Sequence, residues 1–323
     1  MFYLLRKKLH WQYFCVAALY LIFNLSGLHG FQAEHSDHIP MMEMLLEAGD
    51  SGDGLFAVPL YFYSGLSGVG IPPSLFSLVF GLFILYFLFE VKVDVKTYFI
   101  RVFFCIAPIV TFLGQPGKEL FLLFFFTMSI YFYRKGFEFK SQALLLVYAI
   151  LFRYYYFVIP LFLWTFKKTK RLFCVLFFIV VMMVFIPFWG DLVLNALLEV
   201  QARRDFGFEN GFGVVRTVFP NIVDVEGWGS FFVNYINAFY RLNLPVFTWF
   251  TLKEIFLQIV VLATYSLVVY SLCKGSRLAV AILIMLLMYP LFEPDLGSYL
   301  RHFTSMMPLF YYLIDRYIAR LYE

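Results

Sequence analysis

Apolar runs of bilayer-spanning length recur from one end of this chain to the other. A transmembrane helix takes about 20 mostly apolar residues, fewer where the bilayer thins or a helix stops short. Residues 11–28, 71–90, 97–113, 120–133, 172–189, 246–272, 278–292 and 303–318 read this way, and a further apolar stretch covers 141–166. The composition agrees: 62% of the 323 residues are hydrophobic and 14% are charged, where soluble domains hold roughly 45–50% and about 25%. Too little polar surface remains to wrap such a core in water, so lipid must be the solvent. The chain reads as an all-α polytopic membrane protein, a single integral membrane domain over residues 1–323. Its 44 Phe supply lipid-facing bulk, and its 23 Tyr suit the headgroup level. Cys15, Cys105, Cys174 and Cys273 fall in or beside apolar runs without close pairing, as small hydrophobes rather than a disulfide or metal framework. No cleavage site follows the first run, which predicts a retained helix rather than a signal peptide.

Stretch 141–166 decides the topology. It is long for one helix, carries Arg153 in its middle and runs into Lys167-Lys168-Thr169-Lys170-Arg171. As one tilted helix it would put that cluster across the membrane from the basic loop 134–140. As a hairpin of two short helices turning near Arg153, it keeps both basic loops on one side, which the positive-inside rule favours. About ten transmembrane segments follow, with both termini cytoplasmic in a bacterial inner membrane. The inner loops are then short and basic, and two large periplasmic segments cover 29–70 and 190–245. Residues 39–48 are expected to form a short interfacial helix ended by Gly49. Asp191 is expected to cap a helix running to about Ala202.

Few basic residues fall on the outer side: Lys118, Arg153, Arg203, Arg204, Arg216, Arg241 and Arg301. Arginine is preferred where a permanent, bidentate charge must recognise phosphate, so an outer set dominated by it suggests a diphosphate ligand. Headgroup contact is the plainer alternative, and Arg204-Asp205 could form an internal ion pair. Arg153 is costly at depth unless it faces a partner or water; otherwise it marks the hairpin turn at the headgroups. Lys118-Glu119 suits a helix start, with Glu in the first turn and Lys snorkelling, or a functional role. Glu34-His35-Ser36-Asp37-His38 offers material for a general base, a weak set of metal ligands, or a solvated loop. Glu293-Pro294-Asp295 adds acidic groups on the same side. No Ser/His/Asp arrangement, phosphate-binding Gly loop or nucleic-acid patch appears, and no metal or cofactor is expected.

Taken in order, Asp37, Gly117-Lys118-Glu119, Arg153-Tyr154, Arg216-Thr217-Val218-Phe219-Pro220 and Arg301-His302 with Pro308 form a pattern. It resembles bacterial polysaccharide polymerases of the Wzy and EpsG-like kind, and more broadly the multi-spanning glycosyltransferases of the GT-C class. Tyr154 stands where many members have Pro, and the chain is short for a polymerase. The resemblance implies a metal-independent enzyme of O-antigen or capsule assembly that joins undecaprenyl-diphosphate-linked glycan units at the periplasmic leaflet. Asp37 or His38 would take the acceptor proton. Lys118, Glu119, Arg153, Arg203, Arg204, Arg216, Arg301 and His302 would bind the substrate and its diphosphate. Membrane lipid is the surrounding partner, a chain-length regulator protein is a candidate one, and no nucleic acid is expected. Two alternatives stay open: transfer of a single sugar from a polyprenyl monophosphate, and flipping or transport of a lipid-linked glycan without catalysis.

Overall fold

A computed structural model describes residues 11–25, 57–90, 93–114, 116–165, 190–191, 194–202, 205, 219–248, 250, 252–293 and 296–318. Every regular element among them is helical. The helices are α1 (Trp11–Leu25), α2 (Ala57–Gly68), α3 (Pro73–Leu88), α4 (Val95–Thr111), α5 (Lys118–Arg134), α6 (Glu138–Leu151), α7 (Val158–Thr165), α8 (Trp228–Asn243), α9 (Leu252–Cys273), α10 (Arg277–Phe292), α11 (Leu296–Ser305) and α12 (Met307–Leu313). Short 3-10 turns cover Tyr154–Phe157 and Pro245–Phe247, and one π turn covers Ile314–Ile318.

Of these, Glu254–Cys273 is long and apolar enough to cross a bilayer. Tyr61–Gly68 and Pro73–Leu88 reach that length and apolarity together but are bent by 113° at the break between them. Trp11–Leu25 and Arg277–Phe292 are shorter apolar helices. The apolar runs read from the sequence are largely helical where they are described. Residues 303–318 are broken at Met306, ahead of Pro308, rather than forming one helix. Asp191 is itself helical instead of standing before the helix it was expected to cap, and residues 194–202 are helical. Residues 39–48 and 172–189 lie outside the described residues.

Contacts gather the chain into two compact units, one of residues 1–160 and 304–323, the other of residues 161–303. In the first, α1 is stitched to the loop before α4 through Gln12, whose Nε2 donates to Val93 O at 2.7 Å and whose Oε1 accepts from Val93 N at 3.2 Å. The Tyr20 hydroxyl donates to Leu78 O of α3 at 2.9 Å. Phe80 of α3 meets Phe124 of α5 at 5.0 Å, and Phe87 meets Tyr131 at 5.1 Å. Part of the aromatic wealth of the sequence is therefore helix-to-helix packing. Helices α5 and α6 form an antiparallel hairpin. Gly136 turns it at φ +81, a conformation glycine adopts without strain, and Ser129 Oγ contacts Ser141 Oγ at 2.8 Å.

In the second unit α8 packs on α10, where the Tyr235 hydroxyl donates to Leu287 O at 2.9 Å. Asn243, at the end of α8, is its polar hub. The Asn243 Oδ1 accepts from the hydroxyls of Tyr265 at 2.9 Å and Tyr299 at 2.6 Å, and its main-chain oxygen accepts from Gln258 Nε2 at 3.1 Å. One buried amide thus ties α8, α9 and α11 together.

Candidate functional site

Helix α5 begins at Lys118, straight after a turn, with Glu119 in its first turn, where the helix dipole favours a carboxylate. Glu119 is buried at 4% exposure, and Lys118 is half-buried. A Cβ on Gly117 would stand 3.1 Å from Glu119 Oε2, so the carboxylate folds back over the turn. Tyr63 of α2 lies over the same turn: its hydroxyl accepts from Gly117 N at 3.1 Å and donates to Gly117 O at 3.3 Å. Tyr63 belongs to a segment read from sequence as outer loop, and its place here was not foreseen.

Because α5 and α6 run antiparallel, the end of α6 returns to the start of α5. The ring of Phe152 stacks on that of Phe121 at 5.5 Å. Helix α6 stops at Leu151, and Arg153 sits in the break, half-buried. The chain does not run straight on: the Tyr148 and Tyr156 rings lie 5.2 Å apart, where an unbroken helix would separate such residues by about 12 Å. Tyr156 instead packs back against Phe126 at 5.7 Å. Lys118, Glu119 and the Arg153 break therefore share one end of the α5–α6 hairpin.

The other end of α5 carries a second charged cluster that the sequence reading missed. Asp315, in the π turn, takes both Arg101 of α4 and Arg134 at the end of α5. Arg101 Nε donates to Asp315 Oδ1 at 3.0 Å, and Arg101 is wholly buried. Two sequence signals could have found the pair. Arg101 is the one charge within residues 97–113, and Asp315 is the one acidic residue within 303–318. Charges of opposite sign in apolar runs demand partners.

In the second unit, His302 and Glu293 meet, Nδ1 to Oε1 at 2.9 Å, at 1% and 2% exposure. Glu293 caps the end of α10, and His302 lies on α11. The Tyr289 hydroxyl donates to His302 O at 3.3 Å. The imidazole is thus turned into the unit, while Arg301 beside it is half-buried and its Nη2 donates to Ser298 Oγ at 3.0 Å. This pairing joins two residues read separately from the sequence.

The sequence offers Asp205 as an ion-pair partner for the neighbouring Arg204. Its Oδ1 accepts from Asn221 N at 2.8 Å and its Oδ2 from Asn221 Nδ2 at 2.8 Å, so both oxygens are engaged in closing the loop before α8. Asp37, His38, Arg203, Arg204 and Arg216 lie outside the described residues. No protein-family model, curated protein or solved structure matches the chain.

Proposed function

We propose that this chain is a glycosyltransferase of the bacterial inner membrane that polymerises undecaprenyl-diphosphate-linked oligosaccharide repeat units at the periplasmic face. In this reading it is polytopic, with about ten transmembrane segments and both termini cytoplasmic. The observation that carries it is the shared end of the α5–α6 hairpin: a half-buried guanidinium in a helix break, level with Lys118 and the buried Glu119. Ionisable groups held among apolar helices are expensive and mark ligand sites.

The reaction follows from the donor. An acceptor sugar hydroxyl attacks the anomeric carbon, a carbon–oxygen bond forms, and the bond from that carbon to the diphosphate oxygen breaks. The electron pair leaves with the undecaprenyl diphosphate, and the hydroxyl proton passes to a base, for which Asp37 and His38 are the candidates. Arg153, Lys118, Arg203, Arg204, Arg216 and Arg301 are the candidates to meet the departing charge. Preorganised guanidinium donors stabilise such charge without reorganising as it builds.

A strain lacking the gene should lose long glycan chains and accumulate single-repeat forms. Complementation with Arg153→Ala should restore less than about one hundredth of the polymerisation, and Arg153→Lys an intermediate level. A normal chain-length ladder in the deletion strain overturns the reading. Repeats short by one sugar would favour single-sugar transfer, and repeats trapped on the cytoplasmic side would favour transport. A reporter fused after Lys170 should read cytoplasmic; a periplasmic signal overturns the hairpin topology.

A further inference from the structure

Helix α8 carries Asn237 and Arg241 one turn apart, so their side chains meet on one face. Arg241 Nε donates to Asn237 Oδ1 at 3.1 Å. The guanidinium lies over the ring of Phe219, its Cζ 5.5 Å from the centroid, which shields one face of the cation from water. An arginine only donates, so the amide oxygen must be the atom turned towards it, and this fixes the orientation of the Asn237 amide. The remaining amide nitrogen, Asn237 Nδ2, is buried and has no hydrogen-bond partner. Among the described residues, no hydrogen bond reaches Nη1 or Nη2 of Arg241 either.

Donors therefore gather here without acceptors: two guanidinium nitrogens and a buried amide N–H on the same carbon as the oxygen that holds Arg241. The amide N–H is the buried one of the three, and a buried donor is costly to leave unmet. An oxyanion is the complement: the guanidinium can hold two oxygens and the amide N–H a third, which a phosphoryl group supplies and a carboxylate, with two oxygens, does not. We propose that Asn237 and Arg241, backed by Phe219, form a phosphoryl-anion subsite. It rests on the reading above in one respect, that the source of the phosphoryl group is the diphosphate of a lipid-linked glycan; a lipid headgroup phosphate carries the same chemistry.

The full chain in phosphatidylcholine nanodiscs, titrated with radiolabelled pyrophosphate, tests this. Arg241→Ala and Asn237→Asp should each weaken binding at least about tenfold, the loss expected for a charge-assisted contact. Asn237→Asp keeps an oxygen facing Arg241, and an unchanged melting temperature will show that its fold is kept, so it carries the test even where Arg241→Ala misfolds. In phosphatidylglycerol nanodiscs, native mass spectrometry counts the lipids retained. Lost pyrophosphate binding assigns the subsite to a diphosphate, and lost phosphatidylglycerol alone assigns it to headgroups. Equal pyrophosphate binding and equal lipid retention by the wild type and Asn237→Asp overturn the proposal. A normal glycan ladder in the deletion strain would remove the polymerase reading and leave this binding result intact.

Discussion

Asp94 closes the first turn of α4 by accepting from the Thr97 N–H at 2.8 Å and the Thr97 hydroxyl at 2.6 Å. Both bonds favour the ionised carboxylate and hold its pKa below the usual 3.8. The folded value is the lower one, so this group stabilises the fold above the ordinary carboxylate range, and the contribution is lost as pH falls through the folded value. Between about pH 7 and about pH 3 the melting temperature should drop more steeply for the wild type than for Asp94→Asn, which caps without ionising. Parallel curves would remove the linkage. Glu293 acts at the same scale. Glu293→Ala takes away the carboxylate facing the His302 imidazole and should cost about 1–3 kcal/mol, while Glu293→Gln, which keeps an oxygen there, should cost less. Thermal unfolding in detergent measures both, and equal losses would show that the pair contributes packing alone.

Helices α1 and α3 meet at Gly81, where an added Cβ would clash with the Tyr20 hydroxyl. Tyr20 is fully buried and hydrogen-bonded to Leu78 O, so it has little room to yield. Gly81→Ala should destabilise by about 1–3 kcal/mol, and adding Tyr20→Phe should recover part of the loss, a coupling that a double-mutant cycle reads directly. Element positions were largely legible because apolar runs bounded by charge and turn residues leave helices few alternatives. The break at Arg153 was legible for the same reason, a lone charge inside a long run. Helix α2 was not: Pro59, Gly65 and Gly68 punctuate it, and it follows a cluster of turn residues. Nor was the Glu293–His302 contact, which depends on how α11 folds back after α10 and not on any spacing. The Lys118–Glu119 end and the Arg153 break were each singled out from sequence. Their common level came only from the antiparallel hairpin, and Tyr63 came only from the bend between α2 and α3.

At the scale of the whole molecule, the carboxylate of Asp315 joins parts of the chain 214 and 181 positions away in sequence. It takes guanidinium groups from α4 and α5 onto the C-terminal π turn, and Tyr133 meets Tyr312 beside it at 5.2 Å. Arg101 is wholly buried, so removing its counter-charge leaves a desolvated cation. Asp315→Asn should cost about 3–5 kcal/mol, read as a lowered melting temperature and faster proteolysis of the C-terminal segment. An unchanged melting temperature would mean that packing of α12 alone holds that end.

Helix α5 carries charged groups at both ends, Lys118 and Glu119 at one and the Arg134–Asp315 contact at the other, with 17 residues from first to last. At 1.5 Å per residue this is about 25 Å, short of the roughly 30 Å hydrocarbon core of an average bilayer. Should α5 span the membrane as proposed, lipid would have to come down to meet a helix with ionisable groups at both ends. The hairpin would then sit in a locally thinned patch, at a cost that rises with every added carbon of the acyl chain. If the chain polymerises glycans as proposed, activity reconstituted in a series of phosphatidylcholines should fall steadily as the acyl chains lengthen, and membrane thickness would then act as a control on that reaction.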